Sequence, residues 1–148
     1  MPQDNLNFKG FVNLKVIDPD GNVKETRSVN NVVTTAGKEY ITNRMTSSSE
    51  NVMSHMAIGS SSVAASASDT TLPSELARVS LTSSISSGNE ITYVANFGSG
   101  TPSGTVTVSG AAIFNAASNG TMLCSVRFNS VTKEEFDTIS TNWIVTAS

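Results

Sequence analysis

Hydrophobic and polar residues alternate most regularly over residues 106–129, where two apolar runs flank the dipeptide Asn119-Gly120. Asn and Gly tolerate the positive φ angles that both central residues of a tight primed turn require. The dipeptide therefore predicts a β-hairpin with a two-residue loop, in which Ile113 lies opposite Val126.

This register divides the hairpin into two faces, because successive side chains of a strand point in opposite directions. The first face carries mainly apolar side chains: Ala111, Ile113, Ala117, Met122, Cys124, Val126 and Phe128. The second face carries Phe114 with Leu123, Ser125 and Arg127. A bulky aromatic side chain there indicates that a second layer of the fold, or another subunit, covers this face.

The same two-residue period predicts further strands along the chain. They lie at residues 10–17, 22–29, 52–59, 78–86, 90–97 and 137–146. Between the first two, Asp18-Pro19-Asp20-Gly21 predicts a turn. Proline fixes φ at the second turn position and glycine supplies a positive φ at the last.

One segment has helical spacing instead. Tyr40, Ile41 and Met45 would share one face of a short helix over residues 36–46. Gly37 lies in its first turn and would weaken the helix by about 1 kcal/mol relative to alanine.

Two neighbouring segments complete the prediction. Residues 59–71 are small and polar, which predicts a long loop, and residues 72–78 predict one helical turn. With roughly eight strands, the pattern predicts an all-β fold, an antiparallel two-sheet sandwich of jelly-roll-like form with one short helix. Residues 10–148 would form a single domain, preceded by an N-terminal arm at residues 1–9.

Composition narrows the classes of function. Only 14% of the 148 residues are charged, and the net charge is −3. Lysines and arginines are scattered and form no basic stripe, so no nucleic-acid partner is expected. The other polar residues are mainly Ser, Thr and Asn, which suit faces that pack against neighbours without desolvating charge. We expect no membrane span and no signal peptide, and hence assembly in a cytoplasm.

His55 is the only histidine and Cys124 the only cysteine. A Ser-His-Asp arrangement would have to use His55, but no Gly-x-Ser-x-Gly elbow accompanies it. Cys124 points inward in the predicted register and is read as a core residue. A single cysteine excludes an intrachain disulfide, and one His with one Cys does not make a usual zinc site. We therefore expect no enzyme activity and no cofactor.

Asp18, Asp20 and Asn22 alternate as calcium ligands do. Gly21 is misplaced for the twelve-residue calcium loop, so a hairpin turn explains these residues better, and a metal at Asp18 and Asp20 stays an alternative.

A glycosidase would need two paired carboxylates. The available pairs are Asp69 with Glu75 and Glu134 with Glu135. Nothing around them predicts a cleft, and Asp69 and Glu75 are better explained as residues that order the long loop and the segment after it.

Several short blocks, in a fixed order, carry a resemblance to a known family. They are Asn31–Lys38, Met56–Ser60, Asp69–Leu72, Glu75–Arg78, Ala111–Asn115, Gly120–Leu123, Asp137–Ile139 and Trp143. In order and spacing these blocks resemble a family of small tailed-bacteriophage virion structural proteins, and the resemblance covers residues 10–146.

The chain departs from that family at two places. Its members usually carry an acidic residue before the block around Phe114 and an arginine after Gly120–Leu123. Here those places hold Ser109-Gly110 and Cys124-Ser125. The acid–arginine pair is therefore not carried over, and Arg127 is the candidate for part of the arginine's role.

The resemblance implies a non-enzymatic component of a virus particle, assembled in the host cytoplasm. We expect a capsid cement or decoration protein, since the chain lacks coiled-coil heptads, a repeated stalk and a receptor-binding extension. Its partners would be the major capsid protein or other virion proteins, and the chain would itself be a homo-oligomer, with a trimer expected. The interface candidates are Phe8, Phe114, Leu123 and Arg127.

Two other functions stay open. A tail, neck or fibre protein with a receptor- or glycan-binding role would need aromatic side chains on exposed loops, whereas Tyr40, Tyr93 and Trp143 fall in the predicted helix and strands. A small hydrolase would depend on His55.

Overall fold

Two antiparallel sheets and one helix form the computed structural model of the protein, which describes residues 7–46 and 50–147. In chain order the elements are β1 (Phe8–Ile17), β2 (Val23–Asn30), β3 (Val32–Val33), α1 (Thr35–Thr46), β4 (His55–Gly59), β5 (Glu75–Ser80), β6 (Ser83–Ser87), β7 (Glu90–Phe97), β8 (Val106–Phe114), β9 (Met122–Lys133) and β10 (Thr138–Ala147). The predicted all-β, antiparallel two-sheet sandwich with one short helix is confirmed.

Each sheet has five strands. Sheet I has the order β2-β1-β10-β7-β6, and sheet II has the order β3-β9-β8-β4-β5. In sheet I, β1 pairs with β10 along its whole length, from Phe8 with Ala147 to Ile17 with Thr138. Phe8 and Lys9 therefore belong to a strand, which shortens the predicted arm; residues 1–6 of that arm lie outside the described residues.

The main core fills the space between the sheets. Trp143, Phe97, Leu14, Met56 and Ile113 are among its largest side chains, and each is less than 2% exposed. Burial of one such side chain contributes about 1.5–3 kcal/mol, so this layer dominates the stability of the fold. Alternate residues of β7 and β10 face this core, as the two-residue period predicts: Tyr93, Ala95, Phe97, Ile139, Trp143 and Val145.

The β8–β9 hairpin follows the predicted register only at its far end, where Val108 pairs with Val131. A bulge then shifts the pairing, and Ile113 lies opposite Cys124 instead of Val126. The connection is also longer than a two-residue turn, since the Asn115 N–H bonds the Thr121 carbonyl at 3.3 Å. Positive φ at Asn119-Gly120, 54° and 76°, is found as predicted.

A second bulge near the turn reverses two predicted orientations. Phe114 pairs with Met122, and the pairing shifts between Ile113 and Phe114. Met122 consequently packs with Phe114 on the outer side of sheet II, while Leu123 joins the main core. The prediction had Met122 inward and Leu123 outward, and it was wrong because a bulge changes which side successive residues face.

The long loop between β4 and β5 covers the outer face of sheet II. Leu72 packs there in a small second core with Phe114 and Met122. Ser109 Oγ donates to the Ser61 carbonyl at 2.8 Å, and Arg127 Nε donates to the Val63 carbonyl at 2.9 Å. The covering layer is thus part of the same chain.

The predicted helical turn at residues 72–78 is wrong. Glu75–Ser80 is a strand that pairs with β4, from His55 with Ser80 to Gly59 with Glu75. The single strand predicted at residues 78–86 is likewise two strands, because β5 belongs to sheet II and β6 to sheet I.

Helix α1 docks on β9 through its first turn. Thr34 precedes the helix, and its hydroxyl accepts the Gly37 N–H at 2.9 Å and donates to the Met122 carbonyl at 2.8 Å. A Cβ on Gly37 would lie 2.2 Å from the Leu123 carbonyl oxygen. Glycine is therefore required here by the backbone of β9, which explains a residue that helix propensity alone disfavours.

Replacing Gly37 by alanine should destabilise the protein although alanine is the better helix former. We expect the free energy of unfolding to fall by up to about 2 kcal/mol, because the overpacking at β9 costs about 1–3 kcal/mol and the gain in helix propensity offsets about 1 kcal/mol of it. Urea denaturation measures the change. The exposed neighbour Lys38 provides the control, since K38A should shift the value by less than about 0.5 kcal/mol. A more stable G37A variant would contradict the close contact.

Candidate interaction surface

Two of the four interface candidates are not available at the surface. Phe114 is 1% exposed and Leu123 is 3% exposed, and both are covered by other parts of the same chain. The period-2 pattern identified Phe114 as outward-facing but could not identify the loop that covers it. The interface prediction for these two residues is therefore corrected.

Arg127 is half-buried and engaged within the chain. Besides the Val63 carbonyl, it binds Ser125 Oγ at 2.8 Å and the Val126 carbonyl at 2.9 Å, both through Nη1. Its side chain lies close to Gly110, where an added Cβ would be 3.0 Å from the Arg127 Cδ. Arg127 thus holds the long loop on sheet II.

Arg78 is a second structural arginine on this side, and sequence reasoning missed its role. Its guanidinium lies 3.7 Å from the centroid of the Phe114 ring and pairs with both carboxylate oxygens of Glu75, at 2.7 and 3.0 Å. Nη1 also donates to the carbonyls of Ala116 and Asn119. Arg78 therefore closes the outer face of sheet II over the β8–β9 loop.

Sheet I has an outer face that no other described element of the chain covers. One row of paired residues crosses it from β1 to β6: Phe11 pairs with Ile144, Ile144 with Thr92, and Thr92 with Ile85. Phe11 is 43% exposed and Ile85 is 64% exposed. An apolar row thus runs straight across four strands in contact with solvent.

Mainly neutral side chains surround this row. On one side the paired residues are Asn13, Asn142, Val94 and Ser83. On the other side they are Lys9, Thr146, Glu90 and Ser87. Depletion of charge with retained apolar and small polar groups is typical of the central part of protein–protein interfaces. We refer to these three rows, together with Lys15, Ser140 and Asn96 beyond them, as the sheet I face.

A separate pocket of about 490 Å³ lies between helix α1 and the edge of sheet I. Phe8, the third interface candidate, lines it together with Tyr40, Tyr93 and Leu123. Burial raises the pKa of both tyrosine hydroxyls. The wall is mainly apolar, and Arg44 at its rim donates to the Glu50 carbonyl at 3.0 Å.

His55 lies between two serines in the pair of strands β4 and β5. Ser54 Oγ is 2.7 Å from His55 Nδ1, and Ser80 Oγ is 3.4 Å from His55 Nε2. A nucleophilic serine needs a histidine whose other ring nitrogen is oriented by an acid. Among the described residues, both ring nitrogens of His55 contact serine hydroxyls, and neither contacts a carboxylate.

Cys124 is fully buried in the main core, and burial raises the pKa of its thiol. A thiol that is protonated and inaccessible is a poor nucleophile and a poor metal ligand. The inward orientation predicted for Cys124 is confirmed.

The acidic residues considered for chemistry hold loops in place. Asp18 Oδ1 accepts the N–H groups of Asp20 and Asn22, each at 2.9 Å. Asp69 Oδ2 accepts the Ser66 N–H at 2.9 Å, and Glu135 accepts the Gly104 N–H. The described residues contain no group of three or more metal-binding side chains, and no helix among them has the length and apolar character to cross a membrane.

A charged cluster joins β2 to the β9–β10 turn. Asp137 is only 2% exposed, and its Oδ2 accepts Lys24 Nζ at 2.7 Å and the Glu134 N–H at 2.9 Å. Burial alone would raise the pKa of Asp137. The bonds from Lys24 and Glu134, with the charge of Lys133, outweigh burial and lower that pKa below its ordinary value.

Lys133 lies next to this cluster and is 0% exposed. Its Nζ has no hydrogen-bond partner among the described residues. Burial lowers the pKa of Lys133, while the charges of Asp137 and Glu135 act in the opposite direction.

The chain matches no protein-family model, no curated protein and no solved structure.

Replacing Asp137 by asparagine should lower stability in a pH-dependent way. Its depressed pKa means that the carboxylate stabilises the fold above the unfolded pKa and loses that effect as the pH falls through the folded pKa. At pH 7 we expect D137N to lose about 1–3 kcal/mol, since bonds to a charged acceptor are broken. The difference from wild type should begin to shrink below about pH 4, near the unfolded pKa, and close once the pH is below the lowered pKa of the folded state.

Urea denaturation from pH 2 to pH 8 measures this difference. The matched control is D20N, because Asp20 lies in an exposed turn. A difference between D137N and wild type that stays constant down to pH 2 would contradict the assignment.

Replacing Lys133 by methionine should leave the fold intact and raise its stability. Methionine has a similar length, and it removes an ammonium that is buried without a hydrogen-bond partner. We expect a gain of about 1–2 kcal/mol in the free energy of unfolding at pH 7. The exposed Lys38 gives the control variant K38M. A strong loss of stability in K133M alone would contradict an unpaired ammonium.

Proposed function

We propose that this protein is a non-enzymatic structural subunit of a tailed-bacteriophage particle, and that it acts by docking a sheet surface on other protein subunits. The observation that carries the proposal is the sheet I face. It presents Phe11, Ile144 and Ile85 in one row, with few charges around them. Covering such a surface with another protein costs little desolvation free energy, because few charged groups are removed from water.

The chemistry of the other side chains supports a structural role. Arg78, Arg127 and Asp137 are each used in intrachain contacts, and His55 contacts two serines. Placement on a virus particle rests on the resemblance of the sequence blocks. Within such a particle we favour capsid cement, with the major capsid protein or another virion protein as partner.

The tail or fibre alternative, with glycan binding, has less support. Sugars stack on exposed aromatic side chains, whereas Trp143 is 0% exposed and Tyr40 and Tyr93 are 8% and 6% exposed. The exposed aromatic residues Phe11 and Phe136 lie on a strand and in the β9–β10 turn, and they do not form a cleft.

Intact virions that carry this protein provide the first test. We expect gold-conjugated antibodies to mark the head, and quantitative mass spectrometry to give many copies per particle. Labelling confined to the tail would select the alternative. Absence of the chain from purified particles would contradict the proposal.

Purified shells that lack the protein provide the second test. Wild-type protein should co-sediment with them, and the variant I85D should bind at least about tenfold more weakly, because it places a charge in the apolar row. The control F136D places the same charge at Phe136, which is about as exposed as Ile85 but lies outside the sheet I face. Equal losses for both variants would contradict the role of this face.

A further inference from the structure

We propose that the sheet I face pairs with the same face of a second copy of this chain, about a twofold axis parallel to β10. This inference rests on the proposed function in one respect: both assign the sheet I face to protein contact. It adds a second copy of this chain as the occupant of the face in the free protein, together with the geometry of that contact, so the dimer and the shell compete for the same face.

The order of the strands in sheet I favours this axis. β10 is the central strand of sheet I, with β1 on one side and β7 on the other. A twofold axis along β10 stacks this strand on its own copy and lays each β1 over the partner's β7. This arrangement gives the largest overlap of two five-stranded faces, and sheets that stack face to face prefer nearly aligned strands.

The charged residues of the face also favour this axis. Lys9 on β1 and Glu90 on β7 both pair with Thr146 of β10, so they stand at the same height on opposite sides of the axis. The rotation therefore brings Lys9 of each copy over Glu90 of the other, which makes two opposite-charge contacts. Lys15 comes over the neutral Asn96, which pairs with the same residue of β10, Ser140.

The same charges disfavour the other in-plane axis. A twofold axis across the strands, centred on the face, would keep each strand over its own copy and reverse its direction. Lys9 would then lie over Lys15 of the second copy, and like charges at an interface are unfavourable. The distribution of three charges thus selects the axis along β10.

The area of the contact also supports this pairing. Strands spaced by about 4.8 Å, with a rise of about 3.3 Å per residue, give the outer side of all five strands of sheet I, β2 included, an area of roughly 600 Å². Two such faces bury about 1,200 Å², at the lower end of the range for specific stable interfaces. An isologous pairing of this kind closes as a dimer and cannot by itself close as the trimer expected from the resemblance.

Sedimentation equilibrium over a concentration series tests the charge contacts. We expect a dimer for wild type, and at least about tenfold weaker dimerisation for K9E and for E90K, because each puts like charges opposite each other twice per dimer. The double variant K9E/E90K restores opposite charges and should recover most of the affinity. High salt should reduce the differences between variants.

Cross-linking tests the axis itself. Ile144 lies on β10, so I144C should be joined to its copy by a short bis-maleimide that spans the spacing of about 10 Å between stacked sheets. The native Cys124 is fully buried, so it does not compete. The control T26C lies on the edge strand β2, far from the axis, and should not cross-link.

Three results would overturn the inference: a wild-type monomer at 100 μM, a wild-type trimer, or a double charge variant that dimerises no better than the single ones. Shell binding separates the two proposals. A monomeric wild type that still binds shells leaves the proposed function standing without the dimer. A dimer that is absent from virions leaves the dimer standing without the proposed function.

Discussion

The close contact between helix α1 and β9 determines which side chains the sandwich presents. Thr34 donates its N–H to the Leu123 carbonyl at 3.1 Å, and Gly37 leaves room for the same peptide unit. Because this unit bulges toward the helix, Leu123 enters the main core and Met122 turns outward to Phe114. Which side chains of β9 face inward and which face outward therefore depends on two small residues: Thr34, just before helix α1, and Gly37, in its first turn.

The two outer faces of the sandwich differ as a consequence. Sheet II has an apolar outer patch around Phe114, and the chain covers it with its own loop, which Arg78 and Arg127 hold in place. Most charged contacts are thus used on this side or at the Lys24–Asp137 end. The outer face of sheet I is left with mainly neutral residues, so covering it with another protein requires the desolvation of few charged groups.

Much of this fold could be predicted, because a strand with one buried side shows it as strict alternation. The bounds of β7 were predicted correctly at residues 90–97, and the helix was predicted to within a residue. The bulge at Leu123 was not predictable, because Thr34 and Gly37, which contact its carbonyl, are distant in sequence. The helical turn predicted at residues 72–78 was wrong for a similar reason: Pro73 suits the first turn of a helix, but Arg78 is held by Phe114 and Ala116, which are distant in sequence.

The candidate surface was harder to predict than the core, and the reason is geometric. A buried face leaves a pattern within one strand, whereas the apolar row on sheet I joins Phe11, Ile144 and Ile85 across strands that are far apart in sequence. Ile85 stands between two serines, while Ile144 stands between the core residues Trp143 and Val145, so neither looks like part of a surface row on its own. The pairing of the strands brings them into one row, and the same pairing places Lys9 and Glu90 at the same level along β10. The low fraction of charged residues was the one sign of this surface in the sequence. An interaction surface typically carries few charges, and those it carries lie where a partner can pair with them.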